Sequence, residues 1–370
     1  MNFLKRINWL NTLFIVITLV AGVAGTALLC VYGLVRWPTW VLAGSYLFIS
    51  GVSVTAGYHR LFSHKTYKAT WPIRLILLLL STSAFEGSAL EWCTDHRNHH
   101  LYTDTDKDPY SIKRGFWWAH IGWLFMLEPE KRDFSNVEDL SADPLVRFQH
   151  RFFPWLGVIM GFGVPAAIAA LWGDALGGLI VAGALRIAVN HQLTFCINSV
   201  CHLWGKRNYS DRQSGVDNWM TALFTYGEGF HNFHHQFPRD YRNGVRAFHF
   251  DPTKWTIYGL SKLRLVSDLN RISSDRIIRY RLQMEEKNTS FSEQINNMIA
   301  PVREKINSLL NRIEGLEKEY RRLRASKASF SRRRNYRKLL KSARQELNSY
   351  LNIWSHLIRQ QRRMDLAVEM

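Results

Sequence analysis

Leu13–Val35, reading LFIVITLVAGVAGTALLCVYGLV, is twenty-three residues long and carries no charge. An α-helix of that length rises about 35 Å, enough to cross a hydrocarbon core of about 30 Å. A buried core helix is the alternative for any one such stretch, but three more follow: Pro38–Gly57, Phe152–Trp172 and Ala175–Ile197. Arg186, Asn190 and His191 interrupt the last, and polar groups at that depth are expected to face protein or a cavity rather than lipid. Lys5 and Arg6 precede the first run as in a signal peptide. The run is too long for an h-region and leads straight into a second, so it reads as an uncleaved first span, and Leu29 before Cys30 is too bulky for a lipoprotein cleavage site.

The mean hydropathy of −0.17 hides this apolar half because a basic segment dilutes it. Of the formal charge of +18, residues 271–370 supply 23 Lys and Arg against 11 Asp and Glu. The expected division is therefore a membrane-embedded domain over 1–270 and a basic helical tail over 271–370. Arg36–Thr39 and Gly173–Asp174, which join the spans within each pair, hold one basic residue, whereas the loop Tyr58–Arg151 holds many, among them Arg60, Lys65, Lys68, Lys107, Arg114 and Arg132. The positive-inside tendency then places the N-terminus, that loop and everything after Ile197 on the cytoplasmic side. Cys30, Cys93, Cys196 and Cys201 form no CxxC pair and read as reduced cysteines.

All three histidine clusters fall on that one side. Gly227–Arg242 (GEGFHNFHHQFPRDYR) sets His231, His234 and His235 at i, i+3 and i+4, one face of a helix. The spacing recurs in His96, His99 and His100, and HRLFSH adds His59 and His64. Imidazoles are poor packing material, because each ring nitrogen needs a partner, and they are the commonest metal ligands. The five-residue step from His59 to His64 does not sit on one α-helical stripe and reads as a helix end running into a turn. Asn198 and His202 (NSVCH) share a face at the end of the fourth span, and His202 is taken as a further ligand. His120, His150, His191, His249 and His356 have no such spacing and are read as structural.

Trp71–Leu90 is apolar again, but Arg74 and Glu86 argue against a fifth crossing, which would also put His96 opposite His59; a helix along the interface is expected. Asp104, Asp106 and Asp108 are spaced like a calcium loop, yet Pro109 and Gly115 stand where such a loop needs Gly and Glu. Some of these acids, Asp104 foremost, are instead assigned with Asp95 to orienting the imidazoles, against the alternative of a solvated acidic turn. Phe116, Trp117, Trp118 and Trp123 form an aromatic band suited to the membrane interface or to an acyl channel. In the tail, Ile306, Leu309, Ile313, Leu316, Tyr320 and Leu323, then Leu340, Ala343, Leu347, Tyr350, Trp354 and Leu357, keep a 3–4 alternation on either side of residues 325–335. That pattern predicts an antiparallel coiled-coil hairpin whose basic surface faces solvent, anionic lipid or an acidic partner; nucleic acid has no support beyond charge.

HRLFSH, DHRNHH with DTDKDP, NSVCH and GEGFHNFHHQFPRDYR resemble, in type, order and separation, the motifs of the membrane-bound fatty-acid desaturases, most closely their Δ9 branch. The likeness covers roughly residues 40–260. It implies an all-α integral membrane protein with four transmembrane helices in two hairpins and a cytoplasmic helical cap. It further implies two iron ions held by His59, His64, His96, His99, His100, His202, His231, His234 and His235, with Asn198 reaching the metal through water. The implied activity is O2-dependent insertion of a cis double bond into a fatty acyl chain, fed by a separate electron-transfer protein (cytochrome b5-like, a ferredoxin or a reductase), since no fused cytochrome signature is present. Nine imidazoles exceed one coordination sphere, and zinc lacks the redox chemistry for an unactivated C–H bond. Two places depart from acyl-CoA members: Thr94 and Glu128-Pro129-Glu130 stand where basic residues would meet CoA phosphates. Arg36, Lys113 or Arg114 could substitute, so acyl-CoA is preferred to an acyl-lipid substrate by a small margin. A histidine-cluster hydroxylase and a non-catalytic metal-holding scaffold are the competing readings.

Overall fold

The computed structural model describes residues 3–127, 132–326 and 329–369. Two compact units are present, Met1–Arg271 and Ile272–Met370. The fold is all-α, with a single two-stranded pairing of Lys68–Ala69 and Val266–Ser267 among the described residues.

Four helical stretches in the first unit are long and apolar enough to cross a membrane: Trp9–Val31, Trp37–Ser63, Phe153–Ala170 and Ala175–His202. Their packing inverts the pattern of a soluble protein. In the first span, Ile15, Thr18, Gly22, Thr26 and Leu29 form the buried stripe, while Leu13, Val16, Ile17, Val20 and Val23 point outward. Small residues on the inner face let backbones approach, as expected where the surroundings are as apolar as leucine. At Gly22 a Cβ would lie 2.7 Å from the Leu185 backbone, so glycine is required there.

The second and fourth spans run further than their apolar composition suggests, to Ser63 and His202. Val54–Ser63 continues the second span as a π-helix, closed by the His64 N–H to the His59 carbonyl at 3.1 Å. The five-residue step between these histidines is therefore a π-turn as well as a helix end. Further π-turns occupy Ile159–Gly163 and Ile180–Leu185. Arg186, only 2 % exposed, spends its guanidinium on the carbonyls of Ala182, Gly161 and Ser83 at 3.2, 3.0 and 2.7 Å. This apparent blemish in the fourth span ties together backbone groups near two π-turns and at a helix end, groups that lipid could not satisfy.

Asp174 joins the two hairpins at their connectors, accepting from the Arg36 and Gly177 amides at 3.0 and 2.9 Å and from the Thr39 hydroxyl. Trp71–Thr82 has twelve residues, a rise of about 18 Å, too short to cross. The chain then turns at Phe85 and Gly87, both at positive φ, and starts Ala89–Tyr102 with a capping box between Ser88 and Glu91.

In the second unit Ser274–Lys287, Glu293–Ala325 and Phe330–Glu369 are helical. The paired residues run in opposite directions: Ser292 with Gln361, Lys305 with Glu346, Glu317 with Arg344 and Tyr320 with Arg337. The two long helices are thus antiparallel, closed over a core that includes Ile299, Ile306, Leu310 and Trp354.

Candidate metal centre

The nine imidazoles singled out in the sequence converge in two groups. His59, His64, His96, His100 and His234 form one, and His99, His202, His231 and His235 the other, each with its donor nitrogens within 4.8 Å of one another. Each HxxHH motif is divided between them. On the helix Ala89–Tyr102 the i, i+4 pair His96 and His100 enters the first group, and His99 reaches into the second. On His231–Gln236 the i, i+4 pair His231 and His235 enters the second, and His234 reaches into the first. The π-turn brings in His59 and His64, and the end of the fourth span brings in His202.

The Nε2 atoms face one another at 2.8 Å (His64–His96), 2.9 Å (His59–His234 and His100–His234), 3.0 Å (His202–His231 and His231–His235) and 3.3 Å (His99–His235). Neighbouring positions around an octahedral ion with bonds of about 2.1 Å lie about 3.0 Å apart, and around a tetrahedral ion about 3.4 Å. The Nδ1 partners decide where the protons sit. His59 donates to Glu228 at 2.9 Å, His99 to Asp108 at 2.9 Å and His235 to the Gln213 amide oxygen at 2.9 Å. His202 lies 2.7 Å from the Ser214 hydroxyl, which itself donates to Asp104 at 2.5 Å, so this imidazole is also the donor. A neutral ring protonated on Nδ1 presents a bare lone pair at Nε2. Three of the four rings in the second group therefore aim lone pairs at one point, the arrangement that a metal ion there would take up. The donor set fits a metal ion.

Burial, reinforced by neighbouring imidazoles, holds His64, His96, His100, His231, His234 and His235 well below the ordinary histidine range, in the neutral form a metal requires. Burial pushes the Glu228 carboxyl up, but His59 and Arg60 outweigh it and leave it below its usual range.

The arginines inside the motifs fasten the clusters to one another. Arg60 of HRLFSH is 1 % exposed and bonds Glu228, Asp251 and the Tyr241 carbonyl. Arg97 of DHRNHH donates to the Phe62 and Ser63 carbonyls at the end of the π-helix, to the Asn136 carbonyl and to Asp139. Asp217 accepts from the Phe233 amide at 3.1 Å, serving the otherwise uncapped helix that carries the third cluster.

Both acids expected to orient imidazoles are in the neighbourhood, in different roles. Asp104 acts on His202 through Ser214, and Asp95 lies 3.2 Å from Arg132. Of the groups that touch the rings directly, Asp108 belongs to the trio of aspartates noted by its spacing, whereas Glu228 and Gln213 were not singled out. Asn198 lines the same cavity as His99 and His231. His120, His150 and His191 make ordinary bonds to Ser199 and Gln192, to Ser88, and to the Ala84 carbonyl.

This cavity, of about 550 Å³, is lined by the charged Glu91, Asp95 and Arg132, by His59, His96, His99 and His231, and by apolar side chains including Phe14, Val54 and Phe195. Its volume suits a flexible ligand of moderate size. Glu86 stands in its wall, accepting from Trp92, Asn190 and Thr194 at 3.2, 2.8 and 2.8 Å, and burial pushes its carboxyl up to about 7 against those three donors.

A family model described as "Fatty acid desaturase" matches residues 35–258. The chain belongs to the fatty acid desaturase family. It is 42 % identical over 292 residues to a probable acyl-CoA desaturase of Schizosaccharomyces pombe, covering 77 % of this chain and 59 % of that one. To acyl-CoA desaturase 1 of Saccharomyces cerevisiae it is 39 % identical over 301 residues, 77 % of this chain and 56 % of that one. To the Delta(9)-fatty-acid desaturase fat-7 of Caenorhabditis elegans it is 37 % identical over 283 residues, 74 % and 82 % of the two chains. The chain thus spans less than two thirds of the length of the two yeast relatives.

Of the positions where basic residues would meet CoA, Thr94 is buried with its hydroxyl on the Leu90 carbonyl, and Glu128-Pro129-Glu130 lie outside the described residues. Arg36 stands before the second span, twenty-three positions from His59 along one continuous helical stretch, and bonds Asp174 at the opposite end, so it cannot serve the metal-bearing end. Arg132 lines the cavity, 3.2 Å from Asp95.

Proposed function

We propose that this chain is a di-iron, O2-dependent fatty acyl desaturase that introduces a cis double bond, at Δ9, into a saturated chain carried by CoA. The observation that carries the reading is two groups of imidazole nitrogens, each gathered within 4.8 Å, beside one cavity lined by both charged and apolar side chains. A pair of iron ions would supply what no side chain can, the oxidising power to take hydrogen from an unactivated C–H bond with O2.

The remaining work falls to the chain's own groups. His59, His64, His96, His100 and His234 would hold one ion, and His99, His202, His231 and His235 the other. Glu228 and Asp108 keep His59 and His99 protonated on Nδ1, so that Nε2 stays free to ligate. Phe14, Val54 and Phe195 give the acyl chain an apolar bed and exclude water from the oxidising centre. Glu91, Asp95 and Arg132 are the charged groups of the lining, and the names of the yeast relatives support a CoA thioester as the substrate. The acyl chain gives up two hydrogen atoms, that is two protons and two electrons, and solvent supplies the other two protons that two waters require. Two further electrons, needed to reduce O2 to water, come from a separate electron-transfer protein. The clusters lie on the cytoplasmic side, as the basic loops imply.

Expression in a host lacking its own unsaturases, followed by mass spectrometry of fatty acids, tests the reaction. A new cis double bond supports it, whereas a hydroxylated chain makes the protein a hydroxylase. Metal analysis of the purified protein tests the scaffold alternative, which requires a redox-silent ion.

A further inference from the structure

The charge of the second unit is segregated. Residues 321–344 contain eleven Lys and Arg and no Asp or Glu, while the other seventy-six residues of 271–370 carry twelve basic and eleven acidic groups, close to balance. Because Glu293–Ala325 and Phe330–Glu369 are antiparallel, both basic arms lie at the end where the two helices meet. Along the body of the pair, cations are matched by acids, as in Lys305–Glu346 and Arg303–Glu286. At the tip, Arg321, Arg324, Arg332, Arg334, Lys338 and Lys341 form no ion pair among the described residues, and all six are exposed. Between the arms a cleft of about 470 Å³ is lined by Arg321, Arg337, Lys341 and Arg344, with Tyr320 and Glu317. Glu317 is already engaged by Arg344 at 2.6 Å, so it does not neutralise the rest.

From this segregation we infer that the tip of the helical hairpin is a docking surface for the anionic phospholipid headgroups of a bilayer. Guanidinium groups converging on a cleft match phosphate oxygens, and dispersed headgroups suit cations spread along two arms. The same chain carries four helices able to cross a membrane, so a lipid surface is always within tethered reach, and the tether raises its effective concentration. An RNA or an acidic protein would answer to the same charge but lacks that tether.

Full-length protein in nanodiscs of neutral lipid, mixed with vesicles of phosphatidylcholine alone or with about one third phosphatidylserine, provides the test by co-flotation. Binding is expected only to the anionic vesicles and is lost at high salt. Each cation near an anionic surface raises partition roughly fivefold, so Arg332→Gln, Arg333→Gln and Arg334→Gln together weaken binding roughly 100-fold. Arg359→Gln, Arg362→Gln and Arg363→Gln, which remove the same charge at the other end of the long helix, leave it within a few-fold of wild type. Circular dichroism of both variants checks that the hairpin remains helical. Equal loss in both variants overturns the inference, because net charge rather than the tip would then govern binding. Tight binding of a short RNA or of an acidic protein with no capture by anionic vesicles overturns it as well.

Discussion

Replacing Glu228 by Gln exchanges one oxygen for an NH2 group, and the geometry says what that does. The two carboxylate oxygens accept from four donors: His59 Nδ1 at 2.9 Å, Arg60 Nε at 3.3 Å and Nη2 at 2.9 Å, and Asn243 Nδ2 at 2.6 Å. If the amide oxygen stays on Arg60, the amide nitrogen faces two donors. The least costly relief is for His59 to move its proton to Nε2 and accept at Nδ1. That proton then points at His234, 2.9 Å away, and closes one of the five donor positions in the first group. Loss of such a supporting partner lowers metal affinity 10- to 100-fold, about 1.4 to 2.7 kcal/mol. Arg60 keeps Asp251 at 3.0 Å, so the fold loses about 3 kcal/mol, the low end for a broken buried pair, and stays assembled. The assay is metal content after dialysis against a chelator buffer that leaves wild type with two ions. Glu228→Gln retains one, because the second group's Nδ1 partners are Asp108, Ser214 and Gln213. Two ions bound with wild-type affinity would refute both the tautomer argument and the assignment of His59.

Ser214→Ala breaks the relay from Asp104 to His202, and about a tenfold loss of affinity at the second group is expected in the same assay, with the first unchanged. Acid acts through the six buried histidines held below their ordinary value. The unfolded chain binds the extra protons, so the stability of the metal-free protein falls as pH drops below about 6.5; thermal unfolding of chelator-treated protein at pH 7 and pH 5 shows it, and a flat profile contradicts it. Arg186→Met keeps the aliphatic stem but strips three carbonyls of their donor, at a cost of about 2 kcal/mol. A more thermostable Arg186→Met would mean that relief of the buried charge outweighs those bonds. At Gly51 a Cβ would fall 1.9 Å from the Tyr226 ring, and both residues line the cavity. Gly51→Ala should therefore drive the ring into the acyl path, cutting product at least tenfold while metal content is kept.

Hydropathy and periodicity are local properties, which is why the four long apolar helices, a non-crossing helix beginning at Trp71 and the gathering of the histidines could be read from residue order, although that helix stops at Thr82 rather than Leu90. Even there the reading was limited by composition. The polar turns carrying His59 and His202 fall beyond the apolar runs, yet they complete the second and fourth spans, because a π-turn and a 3-10 turn keep the backbone bonded. Arg186 and Glu86 look like blemishes in apolar stretches. In space they satisfy carbonyls and hold Trp92, Asn190 and Thr194 in the cavity wall.

The sequence by itself determined which imidazoles gather and which stretches are long and apolar enough to cross a membrane, since clustered metal-ligating side chains and unbroken apolar runs are both written in residue order. Only the tertiary structure decided how the nine rings divide into five and four, and that Glu228 and Asp108 steady them. The reason is physical. One face of a short helix offers its i, i+4 pair to one centre and the residue between them to another only once other helices are packed beside it. Glu228 meets Arg60 across 168 positions of chain, a distance no local pattern encodes.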